Sequence, residues 1–296
     1  MTIRFDNRVA IVTGAGHGLG RCYALALAAR GAKVVVNDIG GAIDGSGGSQ
    51  APAESVVAEI TAAGGKAVAN YDSVADRAGA ANIVQAAVDA FGTVDILINN
   101  AGIVRDKSFH KMDLDDFEFV LRVHLLGSVF VTHAAYPIMR DKDYGRILMV
   151  TSSAGIYGNF GQSNYGAAKM GIVGLMNTLK VESSRNNITV NTLAPLAATR
   201  IAEPSGIFEE YDASRSPPTR SPPWPPIWSA RTAPIPATSS PLPPAIIRKF
   251  TSSRAPASTP NRERRSRRSS WPDSGRKSSS CAIRNPMSTR SSTCAR

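Results

Sequence analysis

Cysteine is scarce in this sequence, and long apolar runs are missing. The 296 residues include three cysteines, Cys22, Cys281 and Cys294, whose spacing fits neither a metal site nor a CxxC motif. This usage argues against a disulfide framework and is typical of a reduced, intracellular protein. No apolar run reaches about 18 residues, and neither an apolar signal core nor a C-terminal SKL address is present. We therefore expect a cytoplasmic protein with no metal centre and no membrane partner.

Proline and excess positive charge are nearly absent from the first 200 residues. That part holds 18 Lys+Arg, 17 Asp+Glu and three of the 19 prolines, whereas residues 201–296 hold 16 Lys+Arg and 6 Asp+Glu. Nearly all of the chain's net charge of +11 therefore lies in the last third, and it implies nothing about partners of the first part. The composition predicts a folded domain at 1–203 and a disordered Pro/Ser/Arg-rich tail at 204–296.

The first 200 residues alternate short β-branched runs with Ala-rich helical stretches. Strands that alternate with helices imply crossover connections and a parallel sheet covered on both faces. We therefore predict a Rossmann-type, doubly wound α/β fold. The predicted strands are Val9–Thr13, Lys33–Asn37, Lys66–Asn70, Val94–Asn99, Gly145–Thr151 and Ile188–Leu193, and the predicted helices cover about 18–30, 51–63, 75–91, 113–140 and 163–185.

A glycine-rich turn follows the first predicted strand and opens the first predicted helix. It reads Thr13-Gly-Ala-Gly-His-Gly-Leu-Gly, in which Gly14, Gly18, Leu19 and Gly20 give the spacing TGxxxGxG. Glycine lets the backbone turn tightly and approach a pyrophosphate at the positive N-terminus of a helix. The alternative is a tight turn without a ligand, but the position between strand and helix favours dinucleotide binding.

Asp38 lies directly after the second predicted strand, 18 residues beyond Gly20. A carboxylate there can accept hydrogen bonds from both hydroxyls of an adenosine ribose, and it would repel a 2′-phosphate. The residue before Gly18 is His17, so no arginine or lysine offers that phosphate a site. NAD is therefore favoured over NADP, although a solvated loop aspartate remains the alternative.

Asn100, Ala101 and Gly102 follow the fourth predicted strand, at the sheet edge where ligands of open α/β folds bind. A simple Asn-Gly-type turn is the alternative interpretation of this segment. If the dinucleotide interpretation holds, we expect all three residues to line the cofactor site.

Ser152, Tyr165 and Lys169 form the candidate catalytic group. Tyr165 and Lys169 are four residues apart and share a helix face, and Ser152 ends the fifth predicted strand, 13 residues before Tyr165. Hydride exchange with a carbinol needs a proton donor or acceptor at the oxygen, and a phenol serves only if a cation lowers its pKa. We predict that Tyr165 transfers the proton, Lys169 supplies positive charge and Ser152 holds the substrate oxygen. A YxxxK pair alone is common by chance, so the upstream motifs carry much of this prediction.

In this order the motifs resemble those of the short-chain dehydrogenase/reductase family. The segments Val34-Val-Val-Asn-Asp-Ile-Gly-Gly, Gly65-Lys-Ala-Val-Ala-Asn-Tyr-Asp-Ser-Val and Gly155-Ile-Tyr-Gly-Asn-Phe-Gly-Gln are similar to one branch of it. That branch contains the (3R)-hydroxyacyl-CoA dehydrogenase part of peroxisomal multifunctional enzyme type 2 and its bacterial relatives. The resemblance covers residues 3–205 and implies NAD-linked oxidation of a 3-hydroxyacyl thioester.

The resemblance also implies individual cofactor contacts. Asp72, Ser73 and Val74 would bracket the adenine, and Asn100 would lie near the nicotinamide ribose. Lys169 would bind that ribose as well, in addition to its effect on the tyrosine.

Two positions depart from the wider family. His124 stands where a helix usually carries a catalytic asparagine, and we interpret it as a proton-relay residue or, equally, as a satisfied core histidine. The usual Pro-Gly reads Pro195-Leu196, which can still form backbone beside the nicotinamide, and Thr199 would hydrogen-bond the cofactor. Homologues pair through the helices at 113–140 and 163–185, so a homodimer is expected.

Two other functions stay open. Reduction of a 3-oxoacyl carrier substrate usually uses NADPH, and Asp38 disfavours it. A non-catalytic nucleotide-fold protein could use its basic tail on nucleic acid. The retained Ser152, Tyr165 and Lys169 disfavour that function, as does the lack of aromatic residues among the arginines of the tail.

Beyond residue 203 the family should continue with a substrate-covering helix and a seventh strand, neither of which is recognisable. We hypothesise that the tail is read out of frame. With a choice among synonymous GC-rich codons, reading Ser214–Ser239 one nucleotide earlier permits a helix-like sequence, and a strand-like one follows. Loss of these elements would expose the sheet edge and remove part of the acyl-binding wall. We expect an aggregation-prone chain with little turnover.

Nucleotide sequencing across codons 200–300 tests this hypothesis. We expect a missing or extra base near codons 203–214. An unaltered reading frame would contradict the hypothesis and show that the cell makes this tail.

Overall fold

The computed structural model describes residues 3–195, which form one parallel sheet with helices on both faces. The strand order is β3-β2-β1-β4-β5-β6, and all five neighbouring pairs are parallel. The predicted Rossmann-type α/β fold is confirmed, while the tail at 204–296 lies outside the described residues. The strands are β1 (Val9–Thr13), β2 (Lys33–Asn37), β3 (Lys66–Asn70), β4 (Ile96–Asn99), β5 (Gly145–Val150) and β6 (Ile188–Leu193).

The helices follow the predicted segments, with one addition. The unpredicted helix is α6, whose five residues are too few to show a helical period in the sequence. Two 3₁₀ turns, Phe109–Lys111 and Ser183–Arg185, complete the described part. The α-helices are α1 (Gly18–Ala28), α2 (Ala51–Ala62), α3 (Arg77–Phe91), α4 (Leu114–Leu121), α5 (Gly127–Asp141), α6 (Ser153–Tyr157) and α7 (Ser163–Glu182).

The sheet separates two apolar cores. Strand residues alternate between faces, so that Ile11 and Leu97 pack with α3, α5 and α7, whereas Val12 and Ile98 pack with α1 and α2. Because both faces are covered, strands such as β1 are buried along their whole length, which explains their continuous apolar sequence.

The predicted helix at 113–140 contains a π-helical segment, Arg122–Leu126, between α4 and α5. A π turn adds one residue within a single helical turn, which is too short a stretch to show a period of its own in the sequence. By length and mean hydropathy alone, the stretch Leu114–Asp141 is long and apolar enough to cross a membrane, with 39% of its most apolar window buried. In this fold Val131 and Met139 pack that stretch into the core against the sheet.

The strand order reverses direction between β1 and β4, which creates the crevice where open α/β sheets bind ligands. At the opposite end of these strands, Asp95 ties them together. Its Oδ2 accepts a hydrogen bond from Val9 N at 2.8 Å, and its Oδ1 forms ion pairs with Lys142 at 2.7 Å and Arg8 at 3.3 Å. The buried Asp95 carboxylate, with its partly exposed basic partners, thus connects the amino ends of β1 and β4.

Candidate active site

Three glycines of the turn between β1 and α1, Gly14, Gly16 and Gly20, leave no room for a side chain. Gly14 and Gly18 have left-handed backbone conformations, with φ values of +62° and +52°. A Cβ atom on Gly20 would collide with the carbonyl oxygen of Gly14. No side chain caps the N-terminus of α1. The turn and the first residues of α1, Leu19 included, line the cavity described below, as a phosphate-binding turn requires.

Two backbone N–H groups orient the carboxylate of Asp38 at the end of β2. Its Oδ2 accepts from Gly16 N and its Oδ1 from Gly40 N, both at 2.7 Å. The side chain is partly exposed and lines the same cavity as the glycine turn. Each carboxylate oxygen keeps a lone pair that a ribose hydroxyl can use.

Asn100 joins the end of β4 to the glycine turn. Its Nδ2 donates to the carbonyl oxygens of Thr13 and Gly14, both at 3.0 Å. In return, the N–H groups of Asn100 and Ala101 donate to Thr13 Oγ1 at 3.0 and 3.1 Å. The side chain predicted to lie near the nicotinamide ribose thus fixes the protein backbone beside it.

The predicted adenine-binding residues follow β3 and line the same cavity. The Asp72 carboxylate accepts from Asn70 Nδ2 at 2.7 Å and Asn82 Nδ2 at 3.0 Å. Ser73 Oγ accepts from Ala75 N at 3.1 Å. Val74 is buried, so it offers an apolar surface on this side of the cavity.

The three predicted catalytic side chains meet at the carboxyl end of β5. Lys169 is 3% exposed, and its Nζ donates to the Val150 carbonyl at 2.7 Å and lies 5.5 Å from the centroid of the Tyr165 ring. Ser152 caps α6 by accepting from Ala154 N at 3.2 Å, and its side chain also acts on Tyr165, whose pKa it lowers.

Burial dominates the titration of this group. It raises the pKa of Tyr165, and the nearby Ser152 side chain acts in the opposite direction. Burial also lowers the pKa of Lys169 to about 7. Because both pKa values move away from a charged tyrosinate–ammonium pair, these side chains alone do not give the lowered tyrosine pKa that the sequence predicted. The positive charge of an oxidised nicotinamide would have to add to that of Lys169.

His124 lies in the π-helical segment and is 1% exposed. Its Nε2 is 3.0 Å from Ile103 N and 2.7 Å from Ile103 O, so one of the two bonds forms, depending on the tautomer. Its ring stands edge-on to Tyr165, with centroids 5.1 Å apart, and its Nδ1 has no hydrogen-bond partner in the part of the chain that the structure describes. Burial, with a smaller contribution from Lys169, holds its pKa well below 6.5, so the ring is neutral.

These residues surround one cavity of about 460 Å³. Asp38, Asp72 and the glycine turn lie along its rim, together with Tyr165 and Lys169. The glycine-rich turn, the oriented carboxylate and the polar group beside β5 fit an extended dinucleotide. No group of three or more His, Cys, Asp or Glu side chains within residues 3–195 could hold a metal ion. Of the other predicted cofactor contacts, Gly102 and Pro195 line the cavity, and Thr199 lies outside the described residues.

Known proteins are similar to this chain in sequence and in fold. The short chain dehydrogenase profile matches residues 8–205. The chain belongs to the short-chain dehydrogenase family. A short-chain type dehydrogenase/reductase of Mycobacterium tuberculosis is 57% identical over 198 residues, and mouse peroxisomal multifunctional enzyme type 2 is 57% identical over 201 residues. These alignments cover 67% and 68% of this chain.

One solved structure shares the fold closely. A short chain dehydrogenase from Mycobacterium avium has a TM-score of 0.61 and 49% identity, over 66% of this short-chain dehydrogenase and 70% of that chain. The aligned part spans 69% of the M. tuberculosis relative but 27% of the mouse protein. The chain therefore corresponds to one part of the multifunctional enzyme.

Sequence inspection missed Asn164, the residue directly before Tyr165. It is fully buried, and its Nδ2 donates to the carbonyl of Arg105 at 2.9 Å while its Oδ1 accepts from Tyr165 N at 2.7 Å. A polar residue at a buried position of α7 was the available signal, but its partner lies 59 residues away. Asn164 thus links the Tyr165 region of this dehydrogenase to the chain after β4.

Replacing Lys169 tests its buried state through the pH dependence of stability. In the folded chain its pKa is about 7, whereas an unfolded lysine titrates near 10.4. Between these values the unfolded state binds more protons, so the free energy of unfolding rises with pH, by at most about 1.4 kcal/mol per pH unit. Lys169→Met removes this contribution. Relative to the unmodified chain, the variant should therefore lose stability steadily from pH 7 to about 10.

Denaturant unfolding at several pH values measures this difference. Lys180→Met is the matched control, because Lys180 lies exposed on the same helix and should show no such trend. A pH-independent difference for Lys169→Met would contradict a buried, pKa-shifted amine.

Proposed function

We propose that this chain is an NAD-dependent dehydrogenase that oxidises a 3-hydroxyacyl thioester, most simply a 3-hydroxyacyl-CoA. The observation that carries the proposal is the meeting of Ser152, Tyr165 and Lys169 in one cavity with the oriented carboxylate of Asp38. Bound NAD would supply the hydride acceptor. The family is one of oxidoreductases, so the reaction class follows from membership and the finer assignments are the proposal.

Each proposed side chain has a role that its position allows. Tyr165 takes the hydroxyl proton of the substrate, and Ser152, which lines the same cavity and favours the ionised phenol, holds the substrate oxygen. Lys169 favours the ionised phenol and binds the nicotinamide ribose. His124 orients Tyr165 and the backbone of Ile103, and its neutral ring is the proposed link of a proton relay.

NAD is proposed over NADP because of Asp38. Its carboxylate is fixed by Gly16 and Gly40 at the rim of the cavity, where a 2′-phosphate would meet a negative charge. No cation within hydrogen-bond distance of Asp38 offsets that charge among the described contacts.

The thioester substrate rests on the relatives. Peroxisomal multifunctional enzyme type 2 of mouse and peroxisomal hydratase-dehydrogenase-epimerase of Saccharomyces cerevisiae are 57% and 54% identical to this chain over 201 residues. A 3-oxoacyl-[acyl-carrier-protein] reductase of Synechocystis is 42% identical over 188 residues, which keeps carrier-bound substrates as the second candidate. These oxidoreductase relatives favour an enzyme over a non-catalytic nucleic-acid-binding protein.

The oligomeric state, the cellular location and the reading frame of the tail are also proposals. A homodimer through α4, α5 and α7 and a cytoplasmic location stay predictions, and several relatives carry peroxisomal names. The family match ends at residue 205, which supports the proposal that the following sequence is out of frame.

Coenzyme selectivity tests the function and the role of Asp38 together. The full chain is mixed with a (3R)-hydroxyacyl-CoA and either NAD or NADP, and formation of the reduced coenzyme is followed. We expect a slow reaction that prefers NAD by at least about tenfold, and Asp38→Ala should reduce this preference to about threefold or less.

Asp89→Ala is the matched control, because Asp89 lies exposed on α3 and contacts Gln85. If the chain binds NADH or NADPH but does not oxidise the 3-hydroxyl group of the acyl-CoA, the proposed substrate is contradicted. Equal use of both coenzymes by the unmodified chain would contradict the role of Asp38.

A further inference from the structure

A loop at residues 39–49, here called the strap, connects β2 to α2 beside the cofactor cavity. Two backbone hydrogen bonds fold it back on itself, from Ala42 N to Ser46 O at 2.8 Å and from Ser49 N to Ile39 O at 2.9 Å. Ile39, Ala42 and Ile43 line the cavity, so the strap forms part of its wall. The base of the strap begins next to Asp38, the proposed ribose-binding carboxylate.

The tip of the strap is fastened to the segment that follows β4. Val104 N donates to Ile43 O at 3.0 Å, and Arg105 Nε donates to Asp44 O at 2.8 Å. A Cβ atom on Gly45 would lie 3.2 Å from Ile103, so the tip is in close packing there. These contacts span about 60 residues of sequence and cross from the β2 side of the cavity to the β4 side.

Arg105 makes the side-chain part of this attachment. Besides Asp44 O, its guanidinium binds Asp116 Oδ1 at 2.7 Å and lies 4.4 Å from the centroid of the Phe119 ring. Asp116 and Phe119 belong to α4, so one side chain connects the strap with a helix of the core layer. Only arginine provides the planar, forked set of donors for these simultaneous contacts.

Arg105 itself does not line the cavity. Phe119, over whose ring the guanidinium lies, does line the cavity, and so do Ile43 and Gly45, the neighbours of Asp44. Its carbonyl is held by Asn164, the neighbour of Tyr165. The guanidinium therefore acts on the cavity through the strap. A loop that is already held in place avoids the ordering cost that a free loop would pay on ligand binding.

We infer that Arg105 is a positioning residue that holds the strap against the dinucleotide site and so raises the affinity for the cofactor without touching it. The inference rests on the proposed function, since it assigns the strap to the dinucleotide. No proton or hydride passes through Arg105.

Arg105→Met keeps an unbranched, apolar stem and removes the guanidinium with its donors. Hydrogen exchange of the full chain, measured without any coenzyme, should be faster at amides 40–48 in the variant. The Kd for NADH, measured by its fluorescence on binding, should rise about tenfold, which is the effect of losing a charge-assisted hydrogen bond. In turnover, the KM for NAD should rise more than kcat falls.

Arg140→Met is the matched control, because Arg140 lies exposed at the end of α5 and carries the same charge. Its exchange at 40–48 and its Kd should equal those of the unmodified chain. Asp116→Asn is a second, milder variant that keeps the arginine, and it should shift both measurements in the same direction by a smaller factor.

The outcomes separate the two proposals. If the unmodified chain binds NADH and Arg105→Met matches it in both exchange and Kd, the inference is overturned and the proposed function stands. If the unmodified chain binds neither NADH nor NADPH, the proposed function fails, and the inference fails with it. If Arg105→Met does not fold, Asp116→Asn decides, and an unchanged Kd in that folded variant overturns the inference.

Discussion

The amide of Asn100 is the contact on which the geometry of the site depends. It spans the crevice between β1 and β4, where strand order reverses, and binds the carbonyls of Thr13 and Gly14. Parallel strands alone bring the carboxyl ends to the same edge, but they leave the turns beyond them free to move. The reciprocal bonds to Thr13 Oγ1 remove that freedom. The glycine turn and the residues after β4 therefore form one rigid rim.

A second constraint follows from burying Lys169. Among residues 3–195 its amine has one hydrogen bond, to the Val150 carbonyl, and burial lowers its pKa to about 7. A buried amine of this kind destabilises the fold, and such costs persist where function needs them. The neighbouring His124 adds a neutral ring whose Nδ1 is unpaired. Polar groups without full partners are thus concentrated beside Tyr165, which is where a proton has to move.

The sequence predicted the sheet and most of its boundaries because the strands are buried on both faces and read as continuous β-branched runs. The predicted β4 begins two residues before the observed one. The Val94 carbonyl binds the Lys142 side chain, although the backbone of Asp95 still hydrogen-bonds to Val9 O and Arg146 N on the two neighbouring strands. The sequence did not predict the π-helical segment around His124, because five residues are too few to show a separate period.

The residue types at the site were also predictable, since each motif has a fixed spacing. The long-range contacts were not. Nothing in the local sequence shows that Asp38 is held by Gly16, that Asn164 binds Arg105 O, or that the strap reaches Arg105. Such contacts depend on how loops from different strands meet at one edge of the sheet, and a single sequence carries no record of those distances.

The most direct test of the site is hydride transfer by the chain and its Tyr165→Phe variant under single-turnover conditions. NADH and a 3-oxoacyl-CoA are mixed with equimolar full-length protein, and loss of NADH fluorescence is followed. We expect slow, stoichiometric oxidation by the unmodified chain and a rate at least about a hundredfold lower in Tyr165→Phe, with unchanged NADH binding. An equal rate in the variant, or NADH binding without any transfer by the unmodified chain, would contradict the proposed role of Tyr165.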